Sequence, residues 1–155
     1  LLTRPEHYYE AARERLATAT ALFRTKDFVA AAYFAGVAVE CMLRAFWRAD
    51  EPFDARHDVG QLARGGFNDR LGSQAAQKAG AALSEVRARW QNDLRYYPAS
   101  LYDAHIREIN KRYSAYRFGK IEDRDRAEAN TRRLLDQCGI IVQLGVVKWT
   151  SFETS

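Results

Sequence analysis

The sequence predicts an all-α protein, an antiparallel up-and-down bundle of four to five main helices with one short extra helix. Three observations carry that expectation. The stretch FVAAAYFAGVAVECMLRAFW, residues 28–47, is apolar almost all the way round. Within it Phe28, Ala32, Ala35, Val39, Met42 and Phe46 recur at three- and four-residue steps, the stripe of a helix that must be covered on most sides. Composition agrees: there are only three prolines, alanine is abundant, and alternating runs of valine, isoleucine and threonine are scarce. Finally, Thr25-Lys26-Asp27 is so short a break that the helices flanking it must run antiparallel.

At 155 residues the chain fits one domain with an ordinary core; residues 1–150 are taken as that domain and 151–155 as a tail. Pro5 suits a first helical turn, and Tyr8, Ala12, Leu16, Ala19 and Phe23 make the inward stripe of a helix over residues 5–24. Asp27 caps the central helix, which is expected to end near Ala49, with residues 50–54 as loop. Asp58 caps a short third helix that Gly65-Gly66 ends. A fourth starts at a Ser73 cap, runs through Ala76, Leu83, Val86 and Trp90, and stops before the segment leading to Pro98. Ser100 caps a helix over residues 101–113 with Leu101, Ile106, Ile109 and Tyr113 inward, and Gly119 closes that region. The last long helix starts at Asp123 and passes through Leu134, Cys138, Ile141, Leu144 and Val147. Gly139 and Gly145 inside it mark close packing or a bend.

Cys41 and Cys138 each lie in an apolar helical pattern with no cysteine nearby, so both read as buried free thiols of a reduced, cytoplasmic protein. No signal peptide precedes the first helix. Glu40 and Arg44 interrupt the only stretch approaching a membrane span, and a membrane role is not expected. The chain starts at Leu1 without a methionine, which reads as a trimmed N-terminus. Three histidines and two separated cysteines offer no metal-ligand spacing. There is neither a phosphate-binding glycine loop nor a nucleophile elbow, and no cofactor is expected.

Charge is unevenly spread. Residues 107–133 hold nine basic and five acidic side chains, a balance of +4 that equals the net charge of the whole chain. Attraction for an anion is therefore expected there, with Arg107, Lys111, Arg112, Tyr116, Arg117 and Lys120 as the RNA- or phosphate-binding candidates. Rings between cations suit a nucleic-acid strip; a solvated helix face has the same composition. Glu40 and Arg44 lie four apart on one face, in the favourable order, and either line a ligand cleft or form a structural ion pair. His57-Asp58 reads as a helix-start cap or a catalytic element. Arg95-Tyr96-Tyr97 either clamps a base and phosphate or packs a helix end.

Taken in order, residues 8–47, then HDVGQLA, then the Arg95-Tyr96 pair, then an alanine- and leucine-rich last helix resemble the HEPN domain. Glu40 and Arg44 match its E-x-x-x-K/R pair, His57-Asp58-Val59 its H-D-L, and Arg95-Tyr96 its R-Y motif. Arg117-Phe118 is the alternative match for that last motif. The resemblance covers residues 8–64 well and 123–147 loosely. It implies a helical bundle, often a homodimer, associated with nucleotide or RNA, with Glu40, Arg44, His57, Asp58, Arg95 and Tyr96 as ligand-binding candidates. Many such proteins are ribonuclease toxins paired with a nucleotidyltransferase-like antitoxin. Their signature is an arginine, four to six residues, then a histidine; here no histidine has an arginine at that spacing. The expectation is thus an interaction module for nucleotide, RNA or such a partner, within a toxin–antitoxin or defence system. The alternative is a metal-independent endoribonuclease built on Arg95 and His105.

Overall fold

The structure, a computed structural model, describes residues 3–50, 52, 56–112 and 125–153. The described residues form six α-helices and no strand: α1 Pro5–Arg24, α2 Phe28–Ala45, α3 Val59–Leu62, α4 Ser73–Arg89, α5 Ala99–Arg112 and α6 Arg126–Glu153. The all-α expectation holds.

α2 is the core helix. Ala31, Ala32, Ala35, Ala38, Val39, Met42 and Leu43 are fully buried, covered chiefly by α1 and α6. α2 has the length and hydropathy of a membrane span, but most of it is buried within the protein. The small side chains let α1 approach closely, where Ala12 and Ala19 are also fully buried. Lys26 takes a left-handed φ of 64° to reverse the chain, and the Asp27 carboxylate accepts from the Ala30 N–H at 3.3 Å, the cap its position implied.

α2 ends at Ala45, four residues earlier than expected. The chain turns there because the Arg48 N–H donates to the Gly65 carbonyl at 2.9 Å. Gly65 and Gly66 break the third helix as expected, the backbone leaving helical geometry at Gly66 with a φ of 159°. They sit within a π-helical turn, Ala63–Phe67, where α2's end presses on the backbone: a Cβ at Gly66 would lie 1.9 Å from the Phe46 carbonyl oxygen. A 3₁₀ turn, Asn68–Arg70, follows.

α4 has Gly72, not Ser73, at its N-cap and ends at Arg89, with Trp90 extended beyond it. The Trp90 indole N–H donates to the Tyr33 carbonyl at 3.1 Å, and the ring lies over Gly36, where a Cβ would stand 2.1 Å from Nε1. Ser100 lies inside α5 rather than capping it. Leu101 is 46% exposed, against the expectation, and Tyr102 is buried in its place with Ile106 and Ile109. The stripe that faces the core is set by Tyr102, whose phenol has buried polar partners on α6 while Leu101 points to solvent. Tyr113, Gly119 and Asp123 lie outside the described residues. α6 runs on to Glu153, so the expected tail is largely helix. Of its glycines, Gly145 is the close contact, against the Met42 thioether; Gly139 has open space.

Cys138 is fully buried, whereas Cys41 is only half-buried. Burial, then the Glu40 charge, pushes the Cys41 thiol up to about 11, and burial alone raises Cys138 well above the usual thiol range. Both are therefore protonated and poor nucleophiles at neutral pH. A thiol reagent at pH 7.5 is expected to titrate fewer than one cysteine per native chain over minutes and two after denaturation. Fast labelling of both in the native state would contradict the packing.

Candidate functional site

Tyr33, Glu40 and Arg44 are spaced seven and four residues apart on α2, so they share one face of the helix. Two polar assemblies are built on that face, separated by about 10 Å of helix.

The first assembly centres on Glu40. Its Oε1 accepts from the Arg44 Nε at 3.0 Å, and both residues are 8% exposed. Its Oε2 lies 2.8 Å from the His57 Nδ1. A carboxylate only accepts, so His57 donates through Nδ1 and turns Nε2 outward from a side chain that is 44% exposed. Arg44 also donates to the Arg56 carbonyl at 3.0 Å, tying the loop to the helix. Asp58 takes no part: its carboxylate caps α3, accepting from the Gly60 and Gln61 N–H groups at 2.9 and 3.1 Å. The Arg87 guanidinium lies over Gly60 beside it. Of the four candidates here, Glu40, Arg44 and His57 come together, and Asp58 is the structural cap.

The second assembly lies at the Tyr33 end, where the 3₁₀ turn Asn92–Tyr96 packs on α2. The Arg95 guanidinium sits 4.7 Å from the centre of the Tyr96 ring, which is 70% exposed. Desolvation lowers the Arg95 pKa, but the nearby Tyr33 and Tyr96 phenols outweigh it, and the net shift is upward. Tyr97 stands edge-on to the His105 ring at 5.9 Å, and Tyr102 stacks on it at 6.3 Å. The His105 Nε2 lies 2.9 Å from the Arg89 carbonyl. A carbonyl only accepts, so this nitrogen carries the proton and is occupied. Arg95 and His105 flank the tyrosine pair, but no hydrogen bond or ring contact joins them. Beyond His105, Arg107, Lys111 and Arg112 are exposed on α5, with Arg107 paired to Asp103 at 3.4 Å. Tyr116, Arg117, Phe118 and Lys120 lie outside the described residues.

One network had no counterpart in the sequence reading. Arg89, 1% exposed, donates to the Asn130 Oδ1 at 2.6 Å and lies 3.6 Å from Glu85. Asn130 donates to the Tyr102 hydroxyl at 3.1 Å, which lies 2.7 Å from the Thr131 hydroxyl. Arg133 joins through a two-point contact with Glu85. Burial lowers the Arg89 pKa, opposed by Glu85, and burial raises that of Tyr102. The network ties α4, α5 and α6 together at the back of His105. The Glu85–Arg89 spacing was its only visible signal, and an i, i+4 pair on a helix usually faces solvent.

Among the described residues no group of three or more His, Cys, Asp or Glu side chains has the geometry to hold a metal ion. The chain matches no family model, no curated protein and no solved structure.

Proposed function

We propose that the protein is a HEPN-like module that associates with single-stranded RNA or nucleotide, through the exposed Arg95–Tyr96 stack and the basic face of α5. The observation that carries this reading is Tyr96: a large ring, 70% exposed, with a guanidinium already on it at 4.7 Å. A ring exposed to that degree contributes little to folding, whereas a nucleobase stacked on it gains about 1–3 kcal/mol. Arg107, Lys111 and Arg112 on the adjoining helix supply the cations that hold phosphates. The resemblance extends the reading to a cytoplasmic homodimer, or to a complex with a nucleotidyltransferase-like antitoxin.

Anisotropy titration of a fluorescent single-stranded RNA tests it. Affinity is expected to fall steeply with added salt, because phosphate contacts release counterions. Tyr96→Ala is expected to weaken binding about tenfold at every salt concentration, by loss of stacking. Arg112→Glu is expected to flatten the salt slope with helical content unchanged. No binding of the parent at low salt sinks the reading and leaves a protein partner in its place.

The endoribonuclease reading is favoured by a different histidine from the one expected. At His105 only a backbone carbonyl holds the ring; at His57 a buried carboxylate orients the ring through Nδ1 and can steady the imidazolium formed when Nε2 takes a proton. RNA cleavage in the same mixtures, lost in His57→Ala and kept in His105→Ala, is the outcome that supports it.

A further inference from the structure

A cavity of about 550 Å³ opens where the start of α1, the end of α2 and the end of α6 meet. That size lies in the range of small-molecule sites, and it is at the opposite end of α2 from the Arg95–Tyr96 stack. Its apolar wall is formed by Phe46, Trp47 and Trp149. The Trp149 indole is fixed in place: one face stacks on Tyr9, with centroids 4.8 Å apart and planes 11° from parallel, and Phe46 stands edge-on at 5.7 Å. Four charged side chains complete the lining: Glu6, Arg48, Asp50 and Arg70. Arg48 is paired with Asp69 at 2.9 Å, and Arg70 too has a partner. Glu6 and Asp50 make no ion pair or hydrogen bond among the described residues. The charge left uncommitted at this aromatic wall is therefore negative.

We propose that this pocket binds a small organic cation, an alkylammonium or trimethylammonium group on an apolar body. Aromatic faces attract such a cation through their quadrupoles, and its methyl groups are dehydrated at little cost against indole and phenyl rings. Glu6 and Asp50 supply the counter-charge at the mouth. An anion is disfavoured because both cations that could meet it are already engaged. The site does not depend on the RNA reading, since it shares no residue with it.

Choline, its neutral carbon isostere 3,3-dimethylbutan-1-ol, and AMP are titrated against the full chain, with tryptophan fluorescence and calorimetry as readouts. Choline is expected to bind at least about tenfold more tightly than the isostere, the margin a cation gains over aromatic faces with a carboxylate nearby. The double variant Glu6→Gln, Asp50→Asn is expected to remove that margin; both side chains are exposed, so folding is preserved. Trp149→Phe keeps a ring in place and is expected to weaken choline severalfold. Equal binding of choline and its isostere, tighter binding of AMP, or no binding of any of the three would each overturn the proposal.

Discussion

Glu40→Ala is expected to cost about 3–5 kcal/mol, among the largest losses available to a single substitution in this chain. The reason is not the strength of the bond it removes but what stays behind. Arg44 is 8% exposed, and its Nε would keep its charge with the 3.0 Å carboxylate gone. For a domain of this length that loss lowers the melting temperature by about 10 °C. His57→Ala removes the other partner of the same carboxylate, but its side chain is 44% exposed, and water replaces the contact for less than about 1 kcal/mol. The double variant Glu40→Leu, Arg44→Met keeps the volume and removes both charges, and is expected to recover most of the stability. Circular-dichroism melts of the three variants check the set. If Glu40→Ala melts with the parent, the pair is not buried as the structure has it.

Gly66→Ala is expected to be comparably damaging, at about 3 kcal/mol or more. Its Cβ would stand 1.9 Å from the Phe46 carbonyl oxygen, and backbone cannot swing aside as a side chain can. The same turn carries the Gly65 carbonyl that ends α2 through the Arg48 N–H, so relief of the clash would pull that bond apart. Gly80→Ala and Gly139→Ala are the controls. Both lie inside helices with nothing within 4 Å of the added carbon, and each is expected to gain about 0.5–1 kcal/mol. Urea midpoints decide the matter: a Gly66→Ala chain as stable as the parent would mean that α2 and the π-helical turn are packed otherwise.

These two positions also mark how far the sequence could be read. The helices were legible where periodicity and caps agree: the apolar stripe of α2, and the Asp27 and Asp58 carboxylates at helix starts, could be placed from spacing alone. So could the Glu40–Arg44 pair, because an i, i+4 relation is local. His57 joining it was not, since nothing in a loop of unknown path says which carboxylate its ring will meet. Tyr102 and Leu101 show the same limit. Both are large and apolar, and only the hydroxyl partners on α6, distant in sequence, decide which one turns inward. Spacing alone puts Trp90 on the α4 stripe, whereas its indole donates to the Tyr33 carbonyl over Gly36. The candidate site was thus legible as residue types, and its assembly was not.

Ultraviolet cross-linking of the protein to single-stranded RNA, with the linked peptide identified by mass spectrometry, tests the proposed RNA association most directly. The result expected is a cross-link at Tyr96, the exposed ring beside Arg95, abolished by Tyr96→Ala and competed by unlabelled RNA at low salt. A cross-link confined to other peptides and unaffected by Tyr96→Ala would contradict it.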